Sequence, residues 1–227
     1  MNMIENKQSP AITKSRIMLV EDHLVVRQAL ANLIDDEPDL EVVGGAESAE
    51  EALQLIPSLH PDLVIIDITL GDSGGLDLIK QLHDDQPALL LLALSMHDEA
   101  LYAERALRAG AKGYIMKKEA MQMVMIAIRR VLQGEIYISD KMASRMVHKL
   151  IDRRSLKTGS PLEQLSDREF EVFNFIAQGV GPTEIANRLS VSVKTIETHR
   201  EHIKQKLDLK NATELTRFAL QWTMNPR

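Results

Sequence analysis

At 227 residues the chain suits two domains of ordinary size, and 44% hydrophobic residues give it cores that a disordered chain lacks. The absence of cysteine excludes disulfides and thiolate metal sites; the longest apolar run, Ala88 to Leu94, is too short to span a bilayer, and residues 1–15 lack the apolar core of a secretory signal, so a cytoplasmic location with no membrane contact is expected. The net charge of −6 is unevenly spread: residues 16–135 carry 10 Lys+Arg against 21 Asp+Glu, residues 136–159 carry 6 against 2, and residues 160–227 carry 9 against 9. The acidic half suits a cation or a protein partner, while the neutral half does not declare a nucleic-acid binder by charge alone.

Residues 1–15 read as a flexible extension. Across residues 16–135, short apolar runs alternate with amphipathic stretches. Strands are predicted at Ile17–Val20, Leu40–Val43, Leu63–Ile66, Leu89–Leu94 and Gly113–Met116, with helices near 24–35, 48–57, 75–84, 98–109 and 119–133. Five β–α units in a row predict an α/β, doubly wound, parallel five-stranded sheet with right-handed crossovers. After Gln133-Gly134 the pattern changes. Ser139 is placed to cap a helix running to about Arg153, and SLKTGSP (155–161) has linker composition, so residues 136–163 read as a linker helix and loop. Residues 164–227 read as all-α, with four short helices. Ser166 and Glu169 have the spacing of a capping box, Pro182 suits the first turn of the next helix, Val193 to about Leu207 forms a third, and Asn211 can cap a fourth.

In an open α/β sheet, ligands bind at the carboxyl ends of the strands, near a topological switch point. Glu21 and Asp22 end the first strand, Asp67 the third and Ser95 the fourth; Lys117 follows the fifth. In the strand order 2-1-3-4-5 these side chains converge on one crevice. Three close carboxylates raise at least one pKa unless a cation intervenes, and an oxygen-only set with room for water suits Mg2+. Asp67 can then serve as a carboxylate nucleophile, with Lys117 on the phosphoryl oxygens and the Ser95 hydroxyl donating to the same group. Taken singly, each residue reads as an ordinary loop or surface group; their placement after four strands sets them apart.

LVEDH (19–23), DLVIIDITL (62–70), LALSMHDE (92–99) and GAKGYIMKK (110–118) make residues 16–133 resemble a response-regulator receiver domain. The resemblance implies a phosphoacceptor at Asp67, an acidic pair at Glu21 and Asp22, and the Thr69 carbonyl as a metal ligand. It further implies Ser95 and Tyr114 as switch residues and Lys117 as an essential lysine. Two departures stand out. Leu70-Gly71 replaces the common Met-Pro, which makes residues 71–75 more flexible than usual. Lys118 replaces a proline, so the Lys117–Lys118 bond is expected to be trans.

PTEIANRL (182–189) and Val193–Leu207, joined by a tight turn, fit a helix-turn-helix whose second helix reads DNA. Ile196, Ile203 and Leu207 mark its buried face. An all-helical interaction domain fits the periodicity equally well. The full string LSDREFEVFNFIAQG and PTEIANRLSVSVKTIETHREHIKQKL resembles the LuxR-type helix-turn-helix and, with the receiver in front, the NarL/FixJ class of response regulators. By position, Glu197, Thr198 and Glu201 are implied to face the groove. Lys194, Thr195, Arg200 and Lys204 are candidates for backbone or groove contacts, and the last helix is an implied dimerisation element. The pair His199 and His202 has metal-ligand spacing but no further ligand near it in sequence, and reads as structural.

The sequence therefore predicts a transcription regulator. A sensor histidine kinase or phosphotransfer protein phosphorylates Asp67, Tyr114 moves inward, and release or homodimerisation of the DNA-binding half follows. No catalysis is expected beyond self-phosphorylation and slow self-dephosphorylation. A haloacid-dehalogenase-type phosphatase would need an acid where Thr69 stands, and a small-molecule sensor would need an apolar, aromatic pocket that 4% aromatics do not favour.

Overall fold

The computed structural model describes residues 13–70, 74–96, 99–119, 121–151 and 161–224. Most of the N-terminal extension, the Gly71–Ser73 part of the glycine-rich stretch and linker residues 152–160 lie outside these. The strands are β1 (Ser15–Val20), β2 (Leu40–Ala46), β3 (Leu63–Asp67), β4 (Leu90–Ser95) and β5 (Gly113–Met116). They form one parallel sheet in the order β2-β1-β3-β4-β5, as the sequence predicts. Its helices are α1 (Leu24–Asp35), α2 (Ala49–Leu59), α3 (Gly75–Asp85), α4 (Glu99–Ala109) and α5 (Met121–Leu132). Then come α6 (Asp140–Ile151), a short 3-10 turn (Pro161–Gln164), α7 (Asp167–Ala177), α8 (Pro182–Arg188), α9 (Val193–Lys206) and α10 (Ala212–Met224).

Successive strand residues alternate between two apolar layers. Met18, Val20, Val64, Ile66 and Ala93 pack with residues of α2, α3 and α4. Ile17, Leu19, Ile65, Leu92 and Ile115 pack with residues of α1 and α5. Because both faces are covered, the strands read in sequence as unbroken apolar runs instead of alternating ones. Two receiver elements run two or three residues past their predicted C-terminal ends. β2 continues through Gly44-Gly45 to Ala46, because β1 pairs with it as far as Val20–Ala46. α2 carries Pro57 in its last turn and stops only at His60, whose left-handed φ of 44° ends it.

The chain beyond Glu135 packs onto the sheet. Tyr137 is buried in the α1–α5 layer, bridges to Gly113, and accepts the Tyr114 N–H at 2.9 Å. Ser139 caps α6 and binds the buried Glu99 at the start of α4 through its own N–H and hydroxyl. The predicted capping box of α7 is present, with Ser166 and Glu169 bonded reciprocally. Ser192 caps α9 and Asn211 caps α10 through the N–H groups of Thr195 and Glu214. Burial pushes the Glu169 carboxyl up, but Lys206 at 2.6 Å and the Ser166 donors outweigh it and hold the group below its ordinary value. Phe173, Ile185, Ile196, Ile203 and Leu215 form the centre of this helical module.

Candidate functional site

The carboxyl ends of β1, β3 and β4 and the residue after β5 meet at one edge of the sheet. Asp67 closes β3 and is 1% exposed. Its Oδ1 accepts the Thr69 N–H at 3.0 Å and its Oδ2 accepts Lys117 Nζ at 2.8 Å. The same Nζ lies 2.6 Å from Glu21 Oε2, so one ammonium bridges two buried carboxylates. Asp22 stands outward, its side chain 36% exposed, with His23 Nδ1 2.6 Å from its Oδ1 and 3.2 Å from Glu21 Oε1. Ser95 ends β4 fully buried, and its carbonyl accepts the Lys117 N–H at 2.7 Å. The Lys117–Lys118 bond is trans.

Position and electrostatics agree. Burial raises the Glu21 carboxyl above its ordinary value, the charge of Asp67 raises it further, and Lys117 opposes both. For Lys117 the signs are reversed: burial pulls the amine down, but the charges and hydrogen bonds of Asp67 and Glu21 together outweigh it and the net shift is upward. The site thus concentrates negative charge that a buried lysine only partly offsets. Ligand atoms of Glu21, Asp22, His23 and Asp67 lie within 4.8 Å of one another, a spacing that fits one small divalent cation.

Three features extend or correct the reading from sequence. His23 orients the Asp22 carboxylate and pairs with Glu21; its position next to an acidic pair was the available signal. The sequence places Gly75 in a flexible stretch. In the structure it opens α3 with its backbone against β3, and a Cβ there would lie 1.9 Å from the Asp67 carbonyl oxygen. Close approach, not freedom, requires this glycine. Tyr114 was expected to move inward on activation, yet it is already only 1% exposed, packed in the layer that includes Tyr102 and α7 residues.

In the helical module, α9 buries Ile196 and Ile203 completely and presents Lys194, Glu197, Thr198 and Glu201 to solvent. Glu201 holds Lys204 at 2.7 Å, whereas Glu197 and Arg200 approach only to 3.6 Å. The Thr198 hydroxyl donates back to the Lys194 carbonyl, and the Thr195 hydroxyl pairs with Ser192 at 2.8 Å. Arg200 keeps only 14% of its side chain exposed, the least available cation of the set. His202 lies 3.6 Å from Glu169 and His199 turns inward beside Arg168, so the two histidines serve packing and pairing.

Comparison with known proteins agrees with both halves. Residues 17–129 match the response regulator receiver domain, and residues 163–219 match the LuxR family of bacterial regulatory proteins. The oxygen regulatory protein NreC of Staphylococcus haemolyticus is 36% identical over 211 residues, covering 91% of this chain and 97% of that one. The chain belongs to the response-regulator family. The regulator is equally similar to NreC of Staphylococcus carnosus, at 37% identity over the same length. Among solved structures it resembles a LuxR-family two-component response regulator from Aurantimonas sp. SI85-9A1, with 32% identity and a TM-score of 0.57 over 62% of this chain and all of that one. It also resembles RcsB of Salmonella enterica serovar Typhimurium bound to a promoter in the presence of the phosphomimetic BeF3−, with 25% identity and a TM-score of 0.59 over 91% and 98% of the two chains. The regulator is thus a two-component response regulator with a receiver and a LuxR-type DNA-binding domain. Among its described residues, no helix is long and apolar enough to cross a membrane.

Proposed function

We propose that a sensor histidine kinase or phosphotransfer protein phosphorylates Asp67 in a Mg2+-dependent reaction in the cytoplasm, and that the phosphoryl group switches DNA binding. The observation that carries this reading is the buried Asp67 carboxylate held between the Thr69 N–H and Lys117 Nζ. An Asp67 oxygen attacks phosphorus, the bond from phosphorus to the donor breaks, and Lys117 passes from the carboxylate to the phosphoryl oxygens. Glu21, Asp22, Asp67 and the Thr69 carbonyl would hold Mg2+, whose charge offsets the crowded anions. Ser95 and Tyr114 sense the phosphoryl group from β4 and β5. The same pocket supports self-phosphorylation from a small phosphodonor and slow self-dephosphorylation.

Asp22 is the most open of the acids, while Glu21 is already engaged by Lys117. Asp22→Ala should therefore weaken Mg2+ binding more than Glu21→Ala does. Calorimetric titration that finds wild-type affinity in Asp22→Ala removes it from the ligand set.

Lys194, Thr195, Thr198, Arg200 and Lys204 provide contacts around α9. Glu197, loosely paired, is placed to accept from a cytosine amino group, and Glu201 orients Lys204. Phosphorylation favours a homodimer on DNA. Selection from a random duplex pool, with and without beryllofluoride, tests the function as a whole. A common sequence should be enriched with the mimic and not without it; identical pools under both conditions would rule out a phosphorylation switch.

A further inference from the structure

Asp22 is the most open acid of the pocket, and among the described residues its carboxylate pairs only with the adjacent His23, itself largely exposed. The direction in which Asp22 points is therefore set by its backbone. That backbone leaves β1 at Glu21, whose N–H donates to the Ala46 carbonyl at 3.0 Å. The Glu21 carbonyl accepts Arg27 Nη1 at 2.5 Å. This carbonyl belongs to the rigid peptide plane that joins Glu21 to Asp22, so a bond to it fixes the plane from which the Asp22 side chain departs.

Arg27 lies in the first turn of α1, where its own N–H donates to the His23 carbonyl at 3.0 Å. Its side chain runs back across Gly45 of β2, where a Cβ would lie 3.0 Å from Arg27 Cδ and push the stem aside. The Arg27 side chain is 14% exposed, and its guanidinium donates in two directions: Nη1 to the Glu21 carbonyl, and Nη2 to the Glu47 carboxylate at 2.7 Å. Glu47 is placed by the start of α2, where its N–H donates to Glu51 Oε2 at 2.8 Å and Ser48 caps the helix. A chain of contacts thus runs from the first turn of α2 through Glu47 and Arg27 to the peptide beneath Asp22. A lysine cannot hold both ends of it, because an ammonium is a point charge and not a fork. A plain ion pair between α1 and the segment after β2 would need Glu47 alone. The shorter of the two bonds goes instead to the neutral carbonyl at the end of β1.

We propose that Arg27 is a positioning residue for divalent-cation binding: it holds the Glu21–Asp22 peptide so that the Asp22 carboxylate stays within ligand reach of Glu21 and Asp67. This rests on the reading of the pocket as the Mg2+ and phosphoryl site, and adds the residue that keeps its most open ligand in place. Arg27 donates to no carboxylate of the pocket and acts through the backbone. Without it the peptide turns more freely, and Asp22 spends part of its time outside the ligand set. Asp67 and Lys117 keep their own contacts, so abundant cation should restore the chemistry.

Calorimetric titration of the full chain with Mg2+ tests this. Arg27→Met keeps the apolar stem, removes both donors, and should weaken Mg2+ binding roughly tenfold or more, as loss of a group that orients metal ligands from outside does. Arg27→Lys keeps one donor and should fall between the two. Arg129→Met is the control. Arg129 joins Glu37 and Asp39 near the amino ends of the strands, so its loss removes a comparable pair of contacts and should leave Mg2+ affinity at the parent value. In labelling by acetyl phosphate, Arg27→Met should need more Mg2+ for half its maximal rate, while the rate at saturating Mg2+ stays near that of the parent chain. A circular-dichroism melt shows which variants fold, and Arg27→Lys decides the matter if Arg27→Met does not. A folded Arg27 variant with parent affinity, or an equal loss in Arg129→Met, overturns the role of Arg27 and leaves the pocket reading intact. A parent chain that binds no Mg2+ overturns the pocket reading itself, and this role with it.

Discussion

Asp67→Asn should abolish labelling by acetyl phosphate and Mg2+, the largest chemical effect expected of any single substitution in this chain. The amide keeps the shape of the carboxylate and can still accept the Thr69 N–H, but it offers no anionic oxygen to attack phosphorus. The neighbouring acids are poor substitutes. Glu21 is buried and tied to Lys117, and Asp22 is turned outward and held by His23. Loss of labelling should not reflect unfolding. In the resting site, Glu21 is raised first by burial and then by the Asp67 charge, so removing that charge relieves repulsion while Lys117 still has Glu21 as a partner. The variant should therefore melt close to the parent chain. Labelled protein is separated after a hydroxylamine treatment that cleaves acyl phosphates; undiminished, hydroxylamine-sensitive label in Asp67→Asn would place the acceptor elsewhere.

Much of this site was legible because strand order turns sequence position into spatial position. Once five β–α units and the order 2-1-3-4-5 are granted, the residues at the ends of β1, β3 and β4 must be neighbours, and Glu21, Asp67 and Ser95 are found there. The caps were legible for a similar reason: Ser139, Ser166 and Asn211 act on N–H groups three residues away, so their partners are fixed by the helix itself. What escaped depends on contacts between residues distant along the chain. Nothing near Tyr102 or Arg105 in sequence announces Asn174 or Phe170, which lie in the other domain. Gly75 looked like a source of flexibility because its steric partner, the Asp67 carbonyl, belongs to a different element. The end of the receiver core was also obscured. Gln133-Gly134 marks a true turn, with Gly134 at φ 82°, but the chain beyond it returns to the sheet through Tyr137.

The second large effect is expected in DNA binding, where beryllofluoride should strengthen binding to a duplex with two half-sites far more than to one with a single half-site. The helical module carries 9 Lys+Arg against 9 Asp+Glu over residues 160–227, so a single copy has little general attraction for phosphates. Of the four cations near α9, Lys204 is engaged by Glu201 and Arg200 is mostly buried near Glu197, which lowers that attraction further. Affinity then has to come from pairing two weak modules. A second module held beside the first sees its half-site at high effective concentration, a gain of roughly 10²–10⁴ with no new DNA contact. We propose that α10 carries this pairing. Leu215 and Ala219 bury one face, and Phe218 packs edge-on to Phe173 at 6.0 Å. The opposite side leaves Thr213, Arg217 and Leu220 exposed at helical spacing. Fluorescence anisotropy on the two duplexes, alongside sedimentation with and without the mimic, separates the possibilities. An equal gain on both duplexes with unchanged mass would mean that each copy is improved alone, and the pairing argument would fail. A gain confined to the paired site, together with a doubled mass, is the expected result. Scrambling one half-site should then cost nearly the whole of that gain, because the remaining copy returns to the affinity its neutral surface allows.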